Sequence, residues 1–144
     1  MRTLFSQVRQ FMKLAGQPIL NRPGVPSASN ARLGLDLIRE EWEELQKAVH
    51  VVDRLQEESS EEDLVEALAE VADALGDLLY VVTWNGLAWG LPMPDIMQEI
   101  QQANLDKFGP GSRKLENGKV AKPPGWTPPD IARVIRRDRL VRKP

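Results

Sequence analysis

Segments with apolar residues at helical spacing alternate along the chain with segments rich in glycine and proline. Apolar residues that recur every three or four positions predict amphipathic helices, and glycine and proline mark the loops between them. No segment alternates apolar and polar residues with the period of two that is typical of strands. Helices are predicted over about residues 1–15, 30–54, 61–89, 94–108 and 130–140. The pattern therefore indicates an all-α fold with four main helices in a four-helix-bundle-like arrangement.

Several residues are suited to begin or end these helices. Ser29 precedes the first long helix and is its predicted N-cap. Ser60 and Asp63 have the spacing of a capping box at the start of the second long helix, with Asp in place of the preferred Glu. Gly90 is expected to end that helix.

The first long helix carries its acids at different positions around its axis. At 100° per residue, one stripe is apolar and is predicted to face the core. It consists of Ile38, Trp42, Leu45, Val49 and Val52. Glu41 and Glu44 lie on one shoulder of this stripe, and Glu40 lies further out. Glu43 lies on the solvent side, where Lys47 is its expected partner one turn along the helix. A carboxylate among apolar neighbours is costly unless a cation or hydrogen bonds compensate it, so Glu41 is the leading candidate for a functional acid.

The second long helix repeats this arrangement. Its predicted core stripe consists of Leu64, Leu68, Val71, Leu75, Leu78 and Val82. Glu70, Asp73 and Asp77 lie beside the stripe, and Ala67 and Ala74 would let another helix or a ligand approach. Two such helices packed antiparallel would bring the acids together, and an oxygen-only ligand set suits Mg²⁺ or Mn²⁺. From the wheels alone, ordinary solvated acids explain the pattern equally well.

Composition and charge narrow the possible functions. The chain has 144 residues, no cysteine and a net charge of −2. Residues 31–80 hold fifteen acids and four bases, whereas residues 131–144 hold six bases and one acid. The acidic centre argues against nucleic-acid binding, and no apolar run reaches the roughly 20 residues that a membrane span requires. We expect a cytoplasmic protein without disulfides or thiolate metal sites.

Three segments of the chain resemble sequences of one enzyme family. Glu40-Glu41-Trp42-Glu43-Glu44 resembles an EExxE motif, and Glu70 to Asp73 resembles its ExxD partner. Asp77 to Val81 reads Asp-Leu-Leu-Tyr-Val, which resembles the segment that follows. Together they resemble MazG-like nucleoside triphosphate pyrophosphohydrolases of the all-α NTP pyrophosphatase superfamily. The resemblance covers roughly residues 5–130, so residues 1–130 are the predicted catalytic domain and 131–144 a basic C-terminal tail.

The resemblance implies hydrolysis of a (deoxy)nucleoside triphosphate at the α–β bond, with Mg²⁺ as cofactor and Mn²⁺ as a substitute. The products would be the monophosphate and pyrophosphate, and clearance of dUTP or another dNTP from the nucleotide pool is the expected role. The implied metal ligands are Glu40, Glu41, Glu44, Glu70, Asp73 and Asp77. Glu40 and Glu41 are also the implied catalytic residues. Related phosphoribosyl-ATP pyrophosphohydrolases often carry His where this chain has Val81, which counts against that substrate.

Five further residues are candidates for binding the substrate. By resemblance Asn104 and Lys107 would meet phosphates, although a favourable lysine at a helix C-terminus explains them equally well. Lys114 lies in a Gly/Pro-rich loop that could close over a triphosphate. Trp84 shares the face of the acids and could stack on a base, and Asn85 could read a base edge. For Lys114, Trp84 and Asn85 a purely structural or solvated role is the more common one.

The competing function is a non-catalytic helical interaction module that has kept the bundle. It predicts neither metal affinity nor turnover, and the position of Glu41 argues against it. Each long helix leaves one large apolar face in a bundle of this size, so we expect a homodimer or a dimer of dimers.

Overall fold

The computed structural model describes residues 3–55 and 59–141, which form five α-helices without a strand. The helices are α1 (Leu4–Leu14), α2 (Ala28–Val52), α3 (Glu61–Ala88), α4 (Met93–Leu105) and α5 (Ile131–Val141). The predicted all-α class is confirmed. Parts of the first predicted helix, of the segment between the two long helices and of the basic C-terminal tail lie outside the described residues. None of the described helices combines the length and apolar character needed to cross a membrane.

The starts of the two long helices follow the sequence signals, with one correction. Ser27, not Ser29, caps α2, since its hydroxyl accepts from the N–H of Asn30 at 3.3 Å. Ser29 already lies inside the helix, whereas Ser27 has the non-helical backbone that an N-cap requires. The predicted capping box of α3 is confirmed: Asp63 N–H donates to Ser60 Oγ at 3.1 Å, and Ser60 N–H donates to Asp63 Oδ2 at 2.9 Å. Hydrogen bonds from the Ser60 side chain and backbone lower the pKa of the Asp63 carboxyl.

By its internal contacts the chain divides into one unit that ends at Gly90 and a second that begins at Leu91. In the first unit α3 packs against α1 and α2, and in the second α4 packs against α5. Two ion pairs join the second pair of helices: Arg133 to Glu99 at 2.8 Å and Arg137 to Asp95 at 2.9 Å. The described part of the predicted basic tail is therefore a helix docked on α4.

The first unit combines a core of large residues with a contact made by small ones. The buried cluster consists of Val8, Met12, Trp84, Leu87 and Ala88, and it joins α1 to the C-terminal half of α3. Where α2 meets the N-terminal half of α3, the buried residues are instead Ala48, Ala67 and Ala74. Small side chains at a helix contact allow the two backbones to approach closely, as the sequence predicted for the two alanines of α3.

The stripes predicted to face the core prove to be largely exposed within this chain. Trp42 of α2 is 51% exposed, and Leu68 and Leu75 of α3 are each 50% exposed. The prediction was wrong about the direction of these faces because α2 and α3 contact each other through the shoulder that carries alanines and acids. The large apolar residues are left on the outside of the pair.

Candidate active site

Two cavities beside the contact of α2 and α3 contain most of the predicted acids. The first has a volume of about 340 Å³ and includes Glu44, Glu70 and Asp73 in its lining. The second has a volume of about 300 Å³ and includes Glu41 and Asp77. Within each helix, the acid of one cavity is three or four residues from an acid of the other, so both lie on one helix face. The structure therefore places these five acids along one groove, which consists of the two cavities beside the contact of α2 and α3.

The pKa of Glu41 is affected by acids of both cavities. Desolvation is the largest cause that raises the pKa of its carboxyl above the usual value, and repulsion by other carboxylates is the second cause. The repelling groups, in decreasing order, are Glu44, Asp77, Glu40 and Asp73. Glu41 thus lies at the electrostatic centre of the group, and Glu40 is an exposed residue beside it.

The fit of a divalent cation rests on the chemistry of these donors. Among residues 3–55 and 59–141, no three acidic or histidine side chains converge closely enough to hold one ion. The acids of the groove nevertheless all offer carboxylate oxygens, and Mg²⁺ prefers oxygen ligands. A cation between them would remove the repulsion that raises the pKa of Glu41. The chemistry of the donors therefore suits Mg²⁺, and Glu41, Glu44, Glu70 and Asp73 are the residues that could hold it, although these four carboxylates do not converge on one point in this structure.

One basic residue of the groove was assigned elsewhere from the sequence. Lys47 was expected on the solvent side as the partner of Glu43. It is exposed, and it lines the first cavity with Glu44 and Asp73. No ion pair between Lys47 and Glu43 occurs among the described residues. An ammonium group at the edge of an acid cluster partly balances its charge.

The second cavity also has an aromatic and amide lining. Phe11 and Tyr80 meet edge to face with ring centroids 5.9 Å apart, and Gln17 and Leu37 complete this side. Trp84 N–Hε1 donates to Gln17 Oε1 at 2.8 Å, which leaves the Gln17 amide nitrogen as a donor. From the sequence alone there was no reason to place Phe11 and Gln17 beside the acids.

Two of the predicted base-binding residues serve the helix packing instead. Trp84 contributes to the lining of the second cavity, but it belongs to the core cluster and is 3% exposed, so its indole offers little ring surface to a base. The Asn85 amide donates to the backbone carbonyls of Gly34 at 3.0 Å and of Val81 at 2.9 Å. Asn85 therefore ties α3 to α2, and both of its donor hydrogens are used.

The other predicted substrate residues lie in the second unit, which is described by itself. Lys107 Nζ donates to Asn104 Oδ1 at 2.7 Å at the C-terminal end of α4. Lys114 is exposed and forms an isolated antiparallel bridge with Val120, across a turn at Asn117 and Gly118. Gly118 has a φ of +79°, a conformation that glycine adopts without strain. The strand signals in the sequence did not predict this bridge.

Comparison with known proteins relates this groove to a family of enzymes. The sequence model of a family described as phosphoribosyl-ATP pyrophosphohydrolase matches residues 8–104, more than half of the chain. The chain belongs to this family. The phosphoribosyl-ATP pyrophosphohydrolase family is part of the MazG-like all-α NTP pyrophosphatase superfamily, so the predicted resemblance is confirmed. No protein of curated function matches the chain.

Membership of the phosphoribosyl-ATP pyrophosphohydrolase family makes the chain a nucleotide pyrophosphohydrolase, and the predicted enzyme class is confirmed. The alternative of a non-catalytic module loses its support. The matched segment includes every predicted metal ligand and Asn104, and it ends before Lys107. Enzymes of this family typically depend on a divalent metal.

Proposed function

We propose that this chain hydrolyses a (deoxy)nucleoside triphosphate at the α–β bond with Mg²⁺, and releases the monophosphate and pyrophosphate. dUTP or another dNTP is the proposed substrate, and removal of such nucleotides from the pool is the proposed role. The observation that carries the proposal is the groove between α2 and α3, where a carboxylate cluster adjoins a cavity lined by Phe11, Tyr80 and Gln17. A nucleotide needs both parts, because its phosphates require cations and its base requires an apolar pocket.

The carboxylates have different proposed tasks. Mg²⁺, when bound, supplies charge neutralisation for the triphosphate. Glu41, Glu44, Glu70 and Asp73 hold the metal, and Asp77 supports it at the boundary with the second cavity. Glu40 is exposed next to Glu41, so it can orient an incoming water molecule and accept its proton. The water oxygen bonds to the α-phosphorus, the bond from that phosphorus to the bridging oxygen breaks, and pyrophosphate leaves.

The lining of the second cavity supports a pyrimidine with carbonyl groups as the base. Its volume of about 300 Å³ is at the small end of the range for ligand pockets. The Gln17 oxygen is occupied by Trp84, so Gln17 presents N–H donors to a ligand. N–H donors suit the carbonyl oxygens of uracil or thymine. Gln17→Ala should therefore raise KM for dUTP more than it lowers kcat.

Phosphoribosyl-ATP is the second candidate substrate, and the family match favours it. The residue that follows Tyr80 argues in the other direction, because it is Val81 here and His in many phosphoribosyl-ATP pyrophosphohydrolases. Both substrates would lose pyrophosphate from a triphosphate, so the carboxylate cluster serves either one. The two candidate substrates differ in the group that would occupy the cavity beside Tyr80.

A panel of triphosphates with Mg²⁺ tests this proposal. It should contain dUTP, dTTP, dCTP, dATP, dGTP and phosphoribosyl-ATP, with monophosphate and pyrophosphate as the measured products. Reaction in ¹⁸O-labelled water should place the label in the monophosphate, because the α-phosphorus is attacked. Label in pyrophosphate, or release of orthophosphate, would contradict the proposed reaction. Turnover of phosphoribosyl-ATP alone would establish the second candidate.

We also propose that the chain forms a homodimer, or a dimer of dimers, through the exposed apolar stripes of α2 and α3. These stripes include Trp42, Val49, Leu64, Leu68, Leu75 and Val82, each at least 39% exposed. Large contiguous apolar patches on a folded chain mark interaction surfaces, and two copies of one stripe can bury each other about a twofold axis.

A further inference from the structure

The groove between α2 and α3 changes in chemical character along its length. On α2, Leu37 and Glu41 line the second cavity, and Glu44 and Lys47 line the first. Tyr80 of α3 lies at the Leu37 end. One end of the groove is therefore aromatic and apolar, the middle carries carboxylates, and the other end carries an ammonium group.

The spacing along α2 gives the scale of this groove. At a rise of 1.5 Å per residue, Leu37 and Lys47 are about 15 Å apart along the helix axis, and Glu41 and Lys47 are about 9 Å apart. The whole span is comparable to the length of an extended nucleoside triphosphate. One molecule of that class can therefore contact both ends of the groove.

The ammonium group of Lys47 is close to the acids but is not bonded to them. Long side chains of a helix lean towards its N-terminus, so Lys47 leans towards Glu44, which is three residues earlier and lines the same cavity. Within residues 3–55 and 59–141, however, every ion pair is formed by an arginine. Lys47 is exposed, and its three N–H donors are available to a ligand.

A lysine beside a carboxylate cluster can act as a counter-ion of the acids or as a binding group for an anion. A counter-ion is expected in contact with a carboxylate, and Lys47 lacks that contact. Cations held by the acids would also weaken their attraction for the ammonium group. Lys47 is then the positive group at the end of the groove, where it can bind an anion that lies across the carboxylates.

The orientation of a bound nucleotide follows from the two ends of the groove. With its base beside Tyr80 and Gln17, the nucleotide has its α-phosphate nearest to the carboxylates that would hold the cation. The β- and γ-phosphates then extend in the direction of Lys47. These two phosphates leave as pyrophosphate in the proposed reaction, and an ammonium group forms strong hydrogen bonds to phosphate oxygens.

We propose that Lys47 binds the β- and γ-phosphates of the substrate, the part that leaves as pyrophosphate. The identity of this ligand as part of a nucleotide rests on the proposed function. The contact of Lys47 with inorganic pyrophosphate can be measured without turnover.

Inorganic pyrophosphate and dUMP are the two probes, because they would occupy opposite ends of the groove. In calorimetry with excess Mg²⁺, Lys47→Met should weaken binding of pyrophosphate about tenfold and change binding of dUMP less than about twofold. Lys47→Arg should restore most of the pyrophosphate affinity, since it keeps a cation that bonds phosphate oxygens. Lys13→Met is the charge-matched control, because Lys13 is exposed on α1 and lines neither cavity.

The same variants separate phosphate binding from a counter-ion role. A counter-ion role predicts that Lys47→Met binds Mg²⁺ more tightly in the absence of phosphate, and that its Mg²⁺-loaded form binds pyrophosphate as the wild type does. That unchanged pyrophosphate affinity would overturn the proposal. Our proposal predicts the loss of pyrophosphate affinity and a KM for the best triphosphate that rises about tenfold. The melting temperature of this exposed substitution should stay that of the wild type.

The outcomes also distinguish this inference from the proposed function. If Lys47→Met and Lys13→Met bind pyrophosphate equally well, the role of Lys47 is refuted, even when the wild-type protein turns over dUTP. If no nucleotide is turned over but pyrophosphate binding still depends on Lys47, the role of Lys47 stands and the proposed reaction fails.

Discussion

Glu41 combines two properties that rarely occur together in one carboxylate. It is only partly exposed at a helix contact, and it lies among other acids that raise its pKa. Glu43 of the same helix is exposed and lines neither cavity. Burial and neighbouring acids thus disfavour the charged form of the Glu41 carboxyl, and this carboxyl is one of the proposed metal ligands.

Replacement of this carboxyl should separate catalysis from folding. Glu41→Gln should lower kcat/KM by at least about 100-fold, since it removes a charged ligand at the centre of the cluster. The far-UV circular dichroism spectrum should remain that of the wild type. Glu43→Gln is the matched control on the same helix and should keep its activity. An active Glu41→Gln variant would remove Glu41 from the proposed site.

The same residue predicts a pH dependence of stability in metal-free protein. A pKa that is raised on folding means that the folded state binds the proton more tightly than the unfolded state. The stability from this group is present below the unfolded pKa and is lost as pH rises through the folded pKa. Glu41→Gln should therefore gain melting temperature relative to wild type in EDTA as the pH rises above the ordinary glutamate pKa of 4.5. An equal gain in Glu43→Gln would contradict this origin.

At the scale of the elements, two glycines of the long helices have opposite surroundings. A Cβ at Gly34 of α2 would collide with the side-chain oxygen of Asn85, whereas a Cβ at Gly76 of α3 would meet nothing within 4 Å. Asn85 cannot simply withdraw, since its amide donates to the Gly34 carbonyl at 3.0 Å. Substitution of Gly34 and of Gly76 therefore measures the packing of α2 on α3 separately from helix propensity.

Gly76→Ala should stabilise the protein by up to about 1 kcal/mol, because alanine is the better helix former. Gly34→Ala should destabilise it by about 1 kcal/mol or more, because the collision outweighs the same gain. Urea unfolding at neutral pH measures both. In an Asn85→Ala background the Gly34 substitution should lose its penalty. Stabilisation by both single substitutions would show that Asn85 does not join the helices as described.

Local signals in the sequence predicted the elements well and their mutual contacts poorly. The capping box of Ser60 and Asp63 and the end of α3 at Gly90 follow from short-range chemistry, and the structure has them. A helical wheel shows which residues share a face, but not which face a neighbour covers. Trp42 was therefore placed in the core, although it is 51% exposed.

The same difference between local signals and long-range contacts holds for the residues of the site. The acids could be grouped from the spacing within each helix, whereas Gln17 joins the cavity through a hydrogen bond to a residue 67 positions away. Trp126 is a further case: its indole N–H donates to the backbone carbonyl of Ala103 at 2.7 Å, and a Pro/Gly-rich loop has no periodicity from which such a contact can be inferred. Residues that act through long-range contacts are those that the sequence left unassigned.

At the scale of the whole molecule, the exposed stripes of α2 and α3 are the proposed surface of association. Wild-type protein should be a dimer or tetramer in multi-angle light scattering at micromolar concentration. Leu68→Glu should shift it towards the monomer, because a charge at the centre of an apolar contact is strongly unfavourable. Leu14→Glu, at a position on α1 that is 82% exposed, is the control and should leave the mass unchanged. A monomeric wild type would contradict the proposed dimer.

The alanines between α2 and α3 have a consequence for how this enzyme could diversify. Ala48, Ala67 and Ala74 hold the two helices close together, and the acids of the groove sit on either side of that contact. A bulkier residue at one of these positions would widen the groove while every carboxylate stayed in the chain. The tolerance of the enzyme for larger or smaller substrates can therefore drift through positions that take no part in the chemistry.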